Sequence, residues 1–169
     1  MQVFVPTTNQ LLADKYGKYA DSADKLDGHP IVSFPFSIQD VPSQAQSLAL
    51  TLIDHDSIPV CGFTWIHWTA ANIDPRNTEF PEDASRQMPF AMIQGNNSNA
   101  GSMVGATNPN VIRKYTGPTP PDKDHAYTLT VYALDTHLDL QDGYWLNAFY
   151  HAAEGHILDQ ASTDIISRS

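Results

Sequence analysis

The stretch Gly117-Pro118-Thr119-Pro120-Pro121-Asp122-Lys123-Asp124-His125-Ala126-Tyr127 ties three prolines to two side chains able to do chemistry. Proline fixes φ and removes a backbone donor, so this loop is stiff before the chain folds. A stiff loop can deliver His125 and Tyr127, preorganised, to the mouth of a strand. An acidic neighbour raises the pKa of His125 and favours the cation that an anionic ligand wants, and Tyr127 offers a hydroxyl two residues on. Upstream, Asp54-His55-Asp56 sets two carboxylates on one face at strand period, with His55 on the other. Paired carboxylates can share a proton, hold a cation or position donors, although Asp-x-Asp-Ser is equally good turn chemistry. Trp65-Ile66-His67-Trp68 embeds a histidine among apolar side chains. Buried there, it must satisfy both ring nitrogens or stay neutral, and a structural role stands beside a functional one. Together the three segments could line one site.

Standard catalytic signatures are missing. His55, His67 and His125 permit a metal without requiring one, since no HExxH pair occurs. There is no Gly-rich phosphate loop and no GxSxG elbow. No metal, cofactor or catalytic residue is assigned on these grounds.

The elements that must position these residues read mostly as strands. Residues 47–53 alternate Leu48, Leu50 and Leu52 against Ser47, Ala49 and Thr51. Residues 63–73 are apolar on both faces and predict a central strand, with Trp65 and His67 on one side and Ile66 and Trp68 on the other. A third strand is expected over 126–134, and a short edge strand over 32–36 because Pro35 interrupts it. Helix is expected late, over 143–153 with Gly155 as a stop, and again over 159–166. One or two turns are expected over 11–19. The run Gly95-Asn96-Asn97-Ser98-Asn99-Ala100-Gly101-Ser102 predicts a long mobile loop across 95–113. Neither repeat nor linker is visible, so 1–169 reads as one mainly β domain.

Composition narrows the partners. Among 169 residues, 19 acidic against 9 basic side chains give a net charge of −10. That balance repels nucleic acid and anionic headgroups, and no Lys/Arg run offsets it. Cys61 is the only cysteine, which excludes an intrachain disulfide, and its apolar setting predicts a buried, inert thiol. Neither a charged-then-apolar leader nor a membrane-length apolar run occurs, so stable membrane insertion is not expected and the cytoplasm is the expected location.

The blocks Asp54-His55-Asp56-Ser57-Ile58-Pro59, Trp65-Ile66-His67-Trp68 and Tyr115-Thr116-Gly117-Pro118-Thr119-Pro120-Pro121, running on to His125-Ala126-Tyr127, resemble the phosphatidylethanolamine-binding protein family. The bacterial branch, often called Raf-kinase-inhibitor-like, is the nearest in pattern, and the resemblance covers 27–169. It implies an antiparallel β-sandwich of two sheets with a few short flanking helices, notably near the C-terminus. It also implies a small pocket for phosphate, acetate or a phospholipid headgroup. Carried over position by position, Asp54, Asp56, Trp65, His67, Gly117, Pro120, Pro121, His125 and Tyr127 match that pocket. In this reading the ring N–H groups of His67 and His125 and the Tyr127 hydroxyl donate to phosphate oxygens. The implied function is non-catalytic binding of a small anion or phosphorylated ligand, with regulation of a protein partner such as a kinase or protease. The alternative is a hydrolase of esters or phosphoesters built on the Asp/His cluster, with or without zinc. Two departures stand out: His55 replaces the usual proline between the aspartates, and the 95–113 loop is longer and more polar than in bacterial relatives. A homodimer through Trp145 or Tyr150 is open, although a helix packed on its own sheet explains these residues equally well.

Overall fold

Period-two alternation through the middle of the chain becomes a ladder of strands in the computed structural model, which describes residues 1–169. In chain order these are β1 (Gln2–Phe4), β2 (Lys25–Leu26), β3 (His29–Pro30), β4 (Phe36–Gln39), β5 (Ser47–Asp54), β6 (Trp65–Ile73), β7 (Glu79–Phe80), β8 (Ile93–Gln94), β9 (His125–Leu134) and β10 (Ile157–Ser167). Four short helices intervene: α1 (Ile58–Cys61), α2 (Ala84–Gln87), α3 (Pro109–Ile112) and α4 (Leu146–Ala153). β10, β9, β5, β6 and β8 form a five-stranded antiparallel sheet in that order, β1, β4 and β7 a three-stranded one, and β2 with β3 a small hairpin.

The two larger sheets share one core. Leu48, Leu50 and Leu52 of β5 and Leu129 and Val131 of β9 cluster with Phe36, Ile38 and Phe80 of the smaller sheet. Each such buried side chain stabilises the fold by about 1.5–3 kcal/mol of transfer free energy. On the other face of the large sheet, Ala49, Ala71, Tyr132 and Leu134 pack with Phe149 and Ala153 of α4. β5 therefore has no solvent face, and all eight of its residues are buried. The result is a mainly β, antiparallel architecture with a few short helices.

Several local expectations change. Residues 159–166 are not helical: they lie within β10, which pairs with β9 from Ile157 to Ser167. Asp, Ser and Thr are weak helix formers, and the open edge of β9 offers a full set of backbone partners. The strand expected over 32–36 starts only after Pro35 and is the middle of its sheet rather than an edge. Proline cannot donate to a ladder, so pairing begins at the residue that follows it. The turns near 11–19 reduce to a 3₁₀ turn at Asp14–Tyr16. The late helix is α4, followed by Gly155 at φ 80°.

The Asn-rich run is built into the structure. Asn97 is fully buried, and its side-chain amide donates to the carbonyls of Val111 (2.6 Å) and Lys114 (2.8 Å). Asn99 is also buried, and Ser98–Ala100 and α3 give the segment helical turns.

Candidate functional site

Strand ends decide where the chemistry sits. Asp54 closes β5, with Trp65 at the start of β6 on one side of it and Tyr127 near the start of β9 on the other. Its side chain follows Leu48, Leu50 and Leu52 towards the smaller sheet. The chain then turns at once: the Ser57 N–H donates to Asp54 Oδ1 (3.0 Å) and the Ser57 hydroxyl to the Asp54 carbonyl (2.8 Å). Asp-x-Asp-Ser thus performs its turn chemistry with Asp54 only 4% exposed. His55, in the bend just beyond the strand, is exposed. Asp56 lies beyond the strand end and turns elsewhere, its Oδ2 accepting from the Ala126 N–H (3.0 Å).

His67 arrives through a β-bulge. Leu52 pairs with Trp68 but Ile53 pairs with Ile66, which leaves His67 without a counterpart on β5. A bulge re-aims a side chain, and here it brings His67 and Trp68 to the same face. The His67 ring meets Tyr127 edge-on, with centroids 5.0 Å apart, and Tyr127 shares the main core with Trp68. The strict alternation expected across Trp65–Trp68 is therefore broken at its functional residue.

The stiff loop folds back over the strand ends. Gly117 is needed because a Cβ there would lie 2.1 Å from the Tyr16 carbonyl oxygen and 2.9 Å from Pro30 Cβ. Seated at that crossing, the loop places Thr119, Pro120 and Pro121 beside Asp54, Ser57, Val60, Cys61, Trp65, His67, His125 and Tyr127 around a cavity of about 180 Å³. Seven of the nine residues singled out from the sequence line this cavity, whereas Asp56 braces β9 and Gly117 seats the loop.

The hydrogen bonds settle which groups face the cavity free. His67 is buried, and its Nδ1 lies 2.7 Å from the Thr116 carbonyl oxygen. A carbonyl only accepts, so Nδ1 carries the proton. Burial pushes the His67 pKa down to about 4, against smaller opposing effects of the Thr116 bond and Asp54. The neutral ring leaves Nε2 as a bare acceptor, with no partner in the chain. His125 behaves oppositely. Its Nδ1 bonds Asp54 Oδ2 (2.8 Å) and its Nε2 bonds Asp122 Oδ1 (2.9 Å). Burial works against its charge, but the bonds to Asp54 and Asp122 outweigh burial and raise its pKa. His125 is 1% exposed rather than at a rim, because a carboxylate covers each ring nitrogen.

The donor roles expected of the two rings are thus already engaged inside the protein. Tyr127 keeps its hydroxyl proton, since burial first and then the charge of Asp54 raise its pKa well above the usual value. That hydroxyl lies against Asp54 and the Thr119 backbone, whereas the Trp65 indole N–H has no partner within the chain. No lysine or arginine lines the cavity.

Ser57, Val60, Cys61 and Thr119 join the lining without having been singled out as site residues from the sequence, and the acidic neighbour expected beside His125 is Asp122. Asp122 carried a signal, the i, i+3 spacing to His125 within an acidic run, and Ser57 stood in the Asp-x-Asp-Ser turn. Cys61 is exposed at the cavity wall, its Sγ 3.3 Å from the Ser57 carbonyl oxygen, and not the buried thiol expected. It ends a four-residue helix with no buried residue, which no apolar run reveals.

Comparison with known proteins places this arrangement. The model of the phosphatidylethanolamine-binding protein family matches residues 4–167. An uncharacterized Bacillus subtilis (strain 168) protein, YxkA, is 55% identical over 168 residues, covering 99% of each chain. A UPF0098 protein of Methanothermobacter thermautotrophicus is 38% identical over 133 residues, 77% of this chain and 78% of its own. Among solved structures, CT736 of Chlamydia trachomatis, a phosphatidylethanolamine-binding protein homolog, superposes with a TM-score of 0.76 at 27% identity, covering 99% of this chain and 95% of that one. Escherichia coli YbcL shares the fold, with a TM-score of 0.78 at 22% identity over 99% of this chain and 98% of its own. Matched by that family model from residue 4 to residue 167 and by relatives over most of its length, the chain belongs to the phosphatidylethanolamine-binding protein family.

Proposed function

We propose that the cavity binds a small oxyanion, a phosphate or phosphorylated headgroup, without transforming it. The observation that carries this reading is the union of His125, held between two carboxylates, with the Tyr127 hydroxyl and the unpartnered Trp65 indole N–H in one small cavity. The Trp65 indole N–H can donate to an oxyanion's oxygens, as can the Tyr127 hydroxyl once it turns from Asp54, and the His125 ring offsets one of the two carboxylate charges beside it. A non-catalytic role is supported by the state of the nucleophiles. The Ser57 hydroxyl donates to the backbone carbonyls of Asp54 and Phe63, and the Cys61 thiol lies against those of Ser57 and Phe63. With both nitrogens on carboxylates, His125 cannot serve as their base.

Binding at such a site would allow the protein to regulate a partner when occupied, in the cytoplasm, where a free thiol such as Cys61 persists. Fluorescence- or calorimetry-detected melting tests the binding. Inorganic phosphate or a phosphomonoester should raise Tm, and His125→Gln should remove the rise. Absence of any shift with every small anion tried rejects the reading, and turnover of a phosphoester lost in Asp54→Asn replaces it with a hydrolase.

A further inference from the structure

A cavity for an anion is ordinarily rich in unpaired donors and in positive charge. This one is not. Asp54 and Asp122 both hold on to the single cation, His125, so the cluster carries one negative charge net before any ligand enters. Of the two histidines, His125 presents no free N–H, and His67 presents a lone pair. A fully deprotonated oxyanion would therefore set an oxygen against the bare Nε2 of His67 and add a second negative charge to Asp54. Two facing acceptors repel, and a buried acceptor without a donor costs about as much as a lost hydrogen bond.

We propose that the site selects an oxyanion that still carries one proton. The P–OH of a singly protonated phosphate or phosphomonoester donates to His67 Nε2, and the Trp65 indole N–H donates to a bare oxygen, joined by the Tyr127 hydroxyl when it turns from Asp54. The inference rests on the anion-binding reading above and sharpens it into a specificity: phosphate monoesters over sulfates and over phosphodiesters, which have no proton to give. The Thr116 carbonyl is what enforces it, because it holds the single proton of a neutral His67 ring on Nδ1. The titratable groups around this acceptor are Asp54 on β5, His125 and Tyr127 on β9, Asp122 on the loop and Cys61 on α1, with Asp56 turned to the Ala126 N–H. Burial keeps His67 neutral above a pH of about 4, which leaves its lone pair available where a monoester is a monoanion.

Titration calorimetry with three small probes tests this on the intact protein. At pH 5, methyl phosphate and methyl sulfate have equal charge and similar shape, and only the first has a proton to donate. Methyl phosphate should bind about tenfold tighter or more, the worth of one charge-assisted hydrogen bond. Its affinity should fall as its second proton leaves, approaching about tenfold per pH unit above pH ~6. The methyl sulfate profile over the same range reports any change caused by His125 alone. Dimethyl phosphate, which stands for the diester of a phospholipid, should bind as weakly as methyl sulfate. In His67→Leu the lone pair is gone, and the preference should shrink to about threefold or less. Equal binding of methyl phosphate and methyl sulfate at pH 5, or tighter methyl phosphate binding at pH 8, overturns the proposal while leaving an anion site. Dimethyl phosphate binding as tightly as methyl phosphate overturns it in favour of a lipid diester. Failure of all three probes to bind at any pH overturns the anion reading itself, and this proposal with it.

Discussion

Acidification from pH 7 to pH 4 should destabilise the protein through one side chain, His67. Burial holds its folded-state pKa near 4, against an ordinary 6.5 in the unfolded chain. Between those values the unfolded chain binds the proton and the folded one does not, so stability rises with pH across the window and is lost as pH falls through it. Each pKa unit is worth about 1.4 kcal/mol, and the gap therefore makes about 3 kcal/mol disappear between pH 6.5 and 4. His125 does not interfere. Its folded pKa is raised, so its contribution is complete below its unfolded value and changes only at higher pH. Carboxylates lowered by ion pairs, such as Asp14 and Asp159, titrate alike in wild type and mutant. Urea unfolding of wild type and His67→Gln at pH 4, 5, 6 and 7 isolates the effect, because glutamine can keep a donor on the Thr116 carbonyl but cannot titrate. The stability difference between the two proteins should move by about 3 kcal/mol over that range, in favour of the mutant at low pH. A difference constant to within about 0.5 kcal/mol would refute the reasoning, as would an NMR titration showing the wild-type His67 ring protonating near its ordinary value.

Three further outcomes follow from the same geometry. Asp54→Asn removes the charge opposite His125 while leaving an acceptor for the Ser57 N–H, so the His125 pKa should drop in an NMR titration. The accompanying loss of about 1–3 kcal/mol should be fullest below pH ~6.5 and shrink as pH rises through the wild-type value. An unchanged His125 titration contradicts the pairing. Gly117→Ala forces a Cβ against the Tyr16 carbonyl, which should cost about 1–3 kcal/mol in thermal unfolding and loosen the proline loop. A Tm equal to wild type argues against that close approach. Asn97→Ala strips donors from the buried carbonyls of Val111 and Lys114 and should cost about 2 kcal/mol or more. Hydrogen exchange across residues 95–113 should quicken in this variant, and unaltered exchange contradicts the anchoring role.

Much of the site was legible before folding because it is carried by short, local grammar. Three prolines stiffen one loop whatever surrounds them, and the Asp-x-Asp-Ser turn and the period-two runs of β5 and β9 follow from backbone sterics over a few residues. The order of these blocks was enough to name the family. Where a partner strand or a distant group had the deciding role, local reading went astray. The helix expected over 159–166 on Ile165 and Ile166 is a strand instead, because the unpaired side of β9 takes up its backbone. An Asn-rich run signals a free loop until carbonyls some 14 and 17 residues away take up Asn97.

Residue types alone committed this chain to a β scaffold with a rigid, proline-built rim and with histidines, aspartates and a tyrosine gathered near it. What those groups are chemically was settled only by tertiary contact. A single extra residue in β6 turns His67 inward, a backbone carbonyl fixes which nitrogen holds its proton, and Asp54, 71 residues from His125, helps to make that ring a cation. Protonation depends on burial and on the partner at hydrogen-bond distance, and both are properties of the folded neighbourhood rather than of any stretch of sequence.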